Sequence, residues 1–236
     1  MLITKKILVF TATYNEKDNI GKLIELIKRY CPFVDILIVD DKSPDNTADE
    51  VRFLQKKFEN ILLIERKSKL GLDTAHKLAY KYSLENNYDY LITMDADLSH
   101  DPAELTNFFN NLEIYPFVIG SRYVHGGKCL MKMPRLLMSK YGNKLIKLVL
   151  GINCNEFTTS YRGFNLKKLG SFNLETVNAS GYSFFMETIF KISRKKIRIK
   201  EIPITFKDRS LGYSKLPKIE IFRTLANLII LFFKKL

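Results

Sequence analysis

The sequence predicts an α/β fold: a mostly parallel central sheet flanked by helices, with one further helix at the C-terminal end. Three observations carry this. Short β-rich apolar runs alternate with amphipathic helical patterns through the first half, which implies right-handed βαβ units. Polar and charged residues of unusual type fall just after those runs, on the edge of a parallel sheet where ligands bind. Finally, 236 residues with 46% apolar and 27% charged side chains can bury a sizeable core, and that balance is wrong for a disordered chain.

Strands are expected over Ile7–Ala12, Ile36–Val39, Ile61–Ile64 and Tyr90–Met94, and helices over Asn19–Tyr30, Thr47–Phe58, Thr74–Glu85 and Pro102–Leu112. Lys5 and Lys6 before the first run mimic a signal peptide. The run is too short for one, and polar Tyr14-Asn15-Glu16 follows at once, so it reads as a buried strand. Phe117–Gly120 predicts a fifth strand, and Gly126-Gly127 a mobile loop.

Pro134–Leu150 predicts a basic amphipathic helix, with Lys140, Lys144 and Lys147 on one face and Leu137, Tyr141, Leu145 and Leu148 on another. Either its lysines are simply solvated or they meet anionic lipid head groups. Ile219–Leu236 begins amphipathic, turns wholly apolar at Leu228–Phe233 and ends in lysines. It reads as an interfacial helix with Phe232 and Phe233 in lipid, as a helix packed back on the body, or as contact for a membrane partner subunit. No stretch reaches the roughly 20 apolar residues that span a bilayer. The expected division is a catalytic domain over residues 1–217 and a membrane-surface or partner-contacting helix over 218–236.

The centre of the chemistry is Leu91-Ile92-Thr93-Met94-Asp95-Ala96-Asp97-Leu98-Ser99-His100-Asp101-Pro102. An apolar strand ends in two carboxylates spaced i, i+2, and a bend there lets both reach one ion. Two aspartates are a usual protein share for Mg²⁺ or Mn²⁺, with substrate phosphates and water completing the shell. The plainer alternative is that Asp97 or Asp101 caps the helix that follows. The other strand ends add Thr13-Tyr14-Asn15-Glu16, Asp40-Asp41-Lys42-Ser43-Pro44-Asp45 and Arg66-Lys67-Ser68-Lys69-Leu70-Gly71. Together they offer an aromatic wall, carboxylates and a metal site, as a nucleoside diphosphate needs. Asp45 and Asn46 taken singly read as a turn and helix cap.

Thr13-Tyr14-Asn15-Glu16, Val39-Asp40-Asp41-Lys42-Ser43-Pro44-Asp45, Met94-Asp95-Ala96-Asp97-Leu98-Ser99-His100 and Gly120-Ser121-Arg122-Tyr123 resemble the inverting glycosyltransferases of family 2, most of all the dolichyl-phosphate mannose synthase branch. The resemblance runs from Ile7 to Lys215 and implies a GT-A (Rossmann-like) fold, a nucleotide-diphospho-sugar donor and a divalent metal, Mg²⁺ or Mn²⁺. It implies that Tyr14, Glu16 and Asp41, with Thr13, Val39 and Ala96 beside them, bind the donor. Asp95 and Asp97 would take metal and diphosphate, with Ser99 as a weaker or water-mediated ligand where some relatives carry Gln. Gly71-Leu72-Asp73-Thr74-Ala75 stands where the branch has Gly-Leu-Gly-Thr-Ala; Asp73 reads as a cap of the helix from Thr74, and its charge leaves the sugar open.

Farther on, Glu156-Phe157-Thr158-Thr159-Ser160-Tyr161-Arg162 is similar to the stretch usually written Asp-x-Thr-Ser-Gly-Phe-Arg, with Ser160 in the place of Gly. Gly181–Glu187 also matches, with Glu187 directed at the sugar or the acceptor loop. Glu201–Arg209 and Gly212–Leu216 form the last match, a strand and loop whose Arg209 and Lys215 suit a phosphate. The implied acceptor is a polyprenyl phosphate, already ionised near neutral pH and so in no need of the general base that an alcohol requires. Arg122, Arg135, Arg209 and Lys215 would hold that phosphate, with Asp95, Asp97, Arg122 and Arg209 as the catalytic set. The absence of Trp excludes the Gln-x-x-Arg-Trp motif of processive relatives and points to transfer of one sugar.

Lysine and arginine number 38 against 25 aspartates and glutamates, a net +13 that suits an anionic partner. Nucleic acid is not indicated, since no zinc-finger, RNP-like or helix-turn-helix pattern occurs. Cys31, Cys129 and Cys154, odd in number and far apart, read as reduced thiols. The expectation is a peripheral enzyme of the cytoplasmic face of a membrane, moving mannose or glucose from a GDP or UDP donor (GDP-mannose or UDP-glucose type) to polyprenyl phosphate. The alternatives are a family 2 transferase acting on a saccharide hydroxyl and a non-catalytic membrane-surface protein on the same fold.

Overall fold

The computed structural model describes residues 5–208 and 219–235. Its main sheet has seven strands: β1 (Ile7–Thr13), β2 (Asp35–Asp40), β3 (Ile61–Glu65), β4 (Tyr90–Thr93), β5 (Phe117–Ser121), β7 (Arg162–Asn165) and β8 (Ile199–Pro203), in the order β3-β2-β1-β4-β7-β5-β8. All run parallel except β7, which lies antiparallel between β4 and β5. The fifth predicted strand is therefore present, but one reversed strand separates it from β4. A two-stranded ribbon pairs β6 (Lys128–Cys129) with β9 (Thr205–Phe206).

The helices are α1 (Lys17–Tyr30), α2 (Thr47–Gln55), α3 (Leu72–Glu85), α4 (Leu105–Leu112), α5 (Met133–Leu150), α6 (Ser183–Arg194) and α7 (Ile219–Lys235). Strand alternation divides the core into two layers. Leu8 and Phe10 of β1 face one apolar cluster with Leu37, Val39 and Leu91, roofed by α3 and α6. Ile7 and Val9 face the other with Ile36, Ile38 and Ile92, against α1, α2 and α4. Each such side chain taken fully from water contributes roughly 1.5–3 kcal/mol. Helix α2 stops three residues before the sequence pattern does, because Lys56 to Phe58 close in hydrogen-bonded turns on Phe53 and Leu54.

The glycine pair after β5 makes a tight turn. Gly126 takes φ +86°, the Gly127 N–H donates to the Val124 carbonyl at 2.9 Å, and a Cβ on Gly127 would lie 2.6 Å from the Ser121 carbonyl oxygen. Helix α5 forms over the predicted segment, with its apolar stripe turned outward. Only Asn143, Ile146 and Leu150 of it are buried, while Leu137, Met138, Tyr141, Leu145 and Leu148 face solvent beside Lys140 and Lys144. Helix α7 packs on α5 and α6 through Leu228 and Leu231, yet Phe222, Ile229, Ile230 and Phe233 stay exposed. No helix among the described residues is long and apolar enough to cross a membrane.

His76 of α3 is enclosed by the rings of Phe10, Phe184 and Phe185, with centroids 5.0, 5.7 and 5.1 Å away. Burial, reinforced by the Arg162 charge, pulls its imidazole from 6.5 down to about 3. The unfolded chain takes up this proton at far higher pH than the folded one. The contribution to stability is thus complete above about pH 6.5 and is lost as pH falls toward 3. His76→Leu should remove about 1.4 kcal/mol per pH unit from the acid loss of stability. The check is the denaturant midpoint followed from pH 7 to 5, which should flatten relative to the unsubstituted protein.

Candidate active site

The carboxyl ends of β1, β2 and β4 meet at one edge, and side-chain bonds lace their loops together. Asp40 at the end of β2 accepts from the Thr13 hydroxyl at 2.8 Å and from the Ser43 N–H at 2.8 Å. The Asn15 N–H donates to Ser43 Oγ, the Glu16 N–H to Thr47 Oγ1 and the Lys17 N–H to Asp45, all at 3.0–3.1 Å. Glu16 also accepts from Asn19 at 2.9 Å. Asn15, Lys42, Asn46 and Leu98 all have positive φ in these loops. For Leu98, whose branched side chain crowds that conformation, the cost is roughly 1–2 kcal/mol, and it falls inside the aspartate turn itself.

Asp41 is engaged by its neighbours: its carboxylate pairs with Arg66 and accepts the N–H groups of Leu70 and Gly71 at 3.2 Å each. It thereby fixes the loop between β3 and α3, and Arg66 extends the bracing to Thr74 at 2.5 Å and the Gly71 carbonyl at 3.0 Å. The same loop sets the Lys69 ammonium 3.9 Å from the ring centre of Tyr14. Val39 is fully buried in the sheet.

Asp95 and Asp97 follow β4 directly. Asp97 is 4% exposed and accepts the Ser99 N–H at 3.1 Å, whereas the Asp95 carboxylate is 38% exposed. Ala96 between them is buried. Asp101 caps the 3-10 turn before α4 by accepting the Ala103 N–H, so the capping role belongs to Asp101 rather than Asp97. The Ser99 hydroxyl is buried with no hydrogen-bond partner among the described residues. An orphaned buried oxygen beside two carboxylates fits a hard divalent cation or its bound water, and an all-oxygen donor set favours Mg²⁺ or Mn²⁺. Asp95, Asp97 and Ser99 are the residues that would hold it.

The second half closes on this turn. After β9 the Lys207 N–H donates to the Ser99 carbonyl and its ammonium reaches Asp101, both at 3.1 Å. Arg135, in the first turn of α5, pairs with Asp208 at 3.2 Å. The predicted acceptor segment thus enters beside the aspartate turn, while Arg209 and Lys215 lie outside the described residues. His100, which the sequence did not single out, is buried, stacked on Tyr161 at 4.8 Å and edge-on to Phe206 at 5.6 Å. Burial lowers its basicity.

Two further predicted ligands, besides Asp41 and Arg135, have protein partners. Arg122 is 8% exposed and gives Nε and Nη2 to Glu156 at 2.6 and 2.7 Å, and Nη2 also to Thr158. Burial alone would raise the Glu156 carboxyl, but the Arg122 guanidinium outweighs it and holds the group below its usual range. Glu187 is 2% exposed and accepts the Asn178 and Ala179 N–H groups at 3.2 and 2.6 Å, organising the loop before α6. Asp73 is not a local cap either, since α3 starts at Leu72 and Asp73 Oδ1 accepts the Gly181 N–H at 3.1 Å. Long-range partners of this kind leave no trace in spacing.

A largely parallel sheet with paired aspartates and an orphan hydroxyl at its carboxyl edge is the build of an enzyme that handles a nucleotide-linked group. Residues 8–171 match the family model Glycosyl transferase family 2, and the chain belongs to that family. It is 35% identical over 219 residues to a polyprenol monophosphomannose synthase of Mycolicibacterium smegmatis, covering 90% of this chain and 82% of that protein. An undecaprenyl-phosphate mannosyltransferase of Micrococcus luteus is 34% identical over 213 residues, covering 89% and 87%. Among solved structures, glucosyl-3-phosphoglycerate synthase of Mycobacterium tuberculosis, in complex with Mn²⁺, UDP-glucose and phosphoglyceric acid, superposes with TM-score 0.69 at 14% identity, covering 98% and 80%. A mannosyltransferase of Pyrobaculum calidifontis with GDP-Man and Mn²⁺ gives 0.62 at 20% identity, covering 99% of this chain and 64% of that one. The fold is GT-A and the protein is a glycosyltransferase.

Glu156→Ala would strand the buried Arg122 charge, and its cost should be about 3–5 kcal/mol. Equilibrium denaturation of the variant measures this, and a loss under 1 kcal/mol would place the pair in solvent-like surroundings.

Proposed function

We propose that this glycosyltransferase moves a single sugar of the mannose or glucose type from a GDP- or UDP-linked donor to a polyprenyl phosphate, with inversion, at the cytoplasmic face of a membrane. The observation that carries the reading is the convergence of the Asp95–Asp97 turn with the Thr205–Asp208 segment, tied by Lys207 to Ser99 and Asp101 at 3.1 Å. Donor-end and acceptor-end elements thereby share one edge. The names of the two relatives near 35% identity, both polyprenyl-phosphate mannosyl enzymes, support the acceptor class.

In this reading Tyr14 walls the nucleobase, with Thr13, Glu16, Val39 and Ala96 beside it, and Asp41 acts by fixing the Lys67–Gly71 loop against the nucleoside. Asp95, Asp97 and Ser99 hold the divalent ion, Mg²⁺ or Mn²⁺, which when bound neutralises the departing diphosphate. Arg135, together with Arg209 and Lys215, holds the acceptor phosphate in line with the sugar carbon. Arg122, paired with Glu156, supports the floor between them, and Glu187 sets the loop at its edge. A phosphate nucleophile is already ionised, so no side chain has to remove a proton.

The exposed apolar faces of the adjoining helices α5 and α7, fringed by Lys132, Lys140, Lys144, Lys234 and Lys235, are proposed as the membrane-facing surface. That surface would present residues 219–235 to lipid or to a membrane partner subunit.

The deciding assay combines purified protein, Mg²⁺ or Mn²⁺, a polyprenyl phosphate and labelled GDP-mannose or UDP-glucose. Label should enter the organic phase and stop entering on chelation. Label that instead appears only on a soluble sugar alcohol would replace the lipid acceptor with a saccharide hydroxyl. Asp97→Ala should lower transfer by roughly a hundredfold or more with little change in melting temperature; near-normal turnover would sink the metal assignment. Leu148→Ser combined with Phe222→Ser, two exposed positions, should weaken binding to anionic vesicles by roughly tenfold or more while leaving stability unchanged. Sedimentation with vesicles measures it, and equal binding would move the membrane surface elsewhere.

A further inference from the structure

We propose that Ser160 is a positioning residue for the Asp95 carboxylate, and that its hydroxyl sets the affinity of the site for the divalent ion. The inference rests on the reading of Asp95 and Asp97 as metal-holding carboxylates and deepens it.

Asp95 is the more exposed of the pair and stands just past the end of β4, where the sheet no longer restrains it. Two hydrogen bonds take over that task. Its N–H donates to His100 Nδ1 at 3.1 Å, and its Oδ1 accepts the Ser160 hydroxyl at 2.5 Å. The hydroxyl bond is the shorter of the two and is charge-assisted. It is also the one that acts on the carboxylate plane directly, since the bond to His100 fixes only the backbone.

Ser160 is well placed to hold something else still. It is 3% exposed, and its carbonyl accepts the Thr93 hydroxyl from the last residue of β4. On either side, the Thr159 carbonyl takes the buried guanidinium of Arg162 at 2.8 Å and the Tyr161 carbonyl takes the Gly120 N–H at 2.9 Å. Thr159 Oγ1 meets His100 Nε2 at 3.3 Å, so adjacent residues of one stretch brace both partners of Asp95. The hydroxyl is therefore delivered from a pinned backbone, and removing it leaves the carboxylate free to rotate about χ2. Asp97 shows the same arrangement in local form, with Oδ1 bonded to the Ser99 N–H at 3.1 Å. Each carboxylate of the pair thus has at least one oxygen fixed by protein. Losing such an outer contact characteristically costs 10–100-fold in metal affinity.

The test uses the full chain with Ser160→Ala and Ser160→Gly. Mn²⁺ affinity is read from the electron paramagnetic resonance signal of free Mn²⁺, at saturating GDP or UDP, whichever the unsubstituted protein binds. Nucleotide affinity in chelator and melting temperature are read alongside. The expected result is a loss of Mn²⁺ affinity of about tenfold or more in both variants, with nucleotide affinity in chelator unchanged. Should the Ala variant fail to fold, the Gly variant decides, since it removes the hydroxyl together with the Cβ beside Asp95. Mn²⁺ affinity within twofold of the unsubstituted protein overturns the proposal, and so does an equal fall in nucleotide affinity without metal. If the unsubstituted protein binds nucleotide but no Mn²⁺, the metal reading of Asp95 and Asp97 itself has failed, and the role of Ser160 with it.

Discussion

A guanidinium held by three carbonyls fixes the floor of this site. Arg162 is 1% exposed and donates to the carbonyls of Thr159, Phe185 and Phe157 at 2.8, 2.9 and 3.0 Å, with the Phe185 ring 4.7 Å away. Burial lowers its pKa to about 9. A buried charge satisfied by backbone dipoles tolerates little movement of those dipoles, because each one lost leaves a desolvated donor. The loop from Phe157 to Thr159 is consequently fastened to α6 on one side and to β7 on the other. That places Ser160 and Thr159 beside Asp95 and His100, and Glu156 beside Arg122.

The reversed strand β7 is what makes this possible. In an all-parallel sheet every strand would leave the carboxyl edge through a crossover, and no segment would run in from that edge to begin a strand beside β4. Running β7 antiparallel between β4 and β5 lets its leading loop arrive at the carboxyl edge, pointing into the turn that holds the aspartates. Gly163 permits that insertion, since a Cβ there would come within 2.9 Å of Leu112 and 3.0 Å of Phe108. The left-handed Leu98 and the bracing from Lys207 then complete a turn that is strained but held from both sides.

The parallel half of the fold was legible because its signals are local. Apolar runs bounded by polar residues located β1 to β5, and the carboxyl-edge rule pointed to the edge where the candidate site is proposed. Strand β7 was not, because Arg162-Gly163-Phe164-Asn165 has neither β-rich composition nor alternation and owes its conformation to its neighbours. At the site, residue types were readable and their partners were not. Asp41 with Arg66, Arg122 with Glu156 and Asp73 with Gly181 are separated by 25, 34 and 108 residues, and only the topology brings them together. Helix α5 makes the same point about surfaces. Periodicity found its apolar stripe but could not say that solvent, and not the sheet, lies against it.

That stripe bears on how the proposed reaction would be oriented. Helix α5 begins at Met133, and its Arg135 touches Asp208 in the proposed acceptor segment, while its exposed apolar residues continue along the helix to Leu148, where α7 lies alongside. A lipid phosphate has to present its charged end to the site and leave its hydrocarbon elsewhere. One helix with a cation near the site at its first turn and an apolar outer face beyond it meets both demands at once. The lysines flanking that face would draw it to an anionic surface before any lipid is chosen. In the proposed function the net +13 of the chain would help hold the protein at the acceptor's plane, while selection of the acceptor would fall to the few side chains around the aspartate turn.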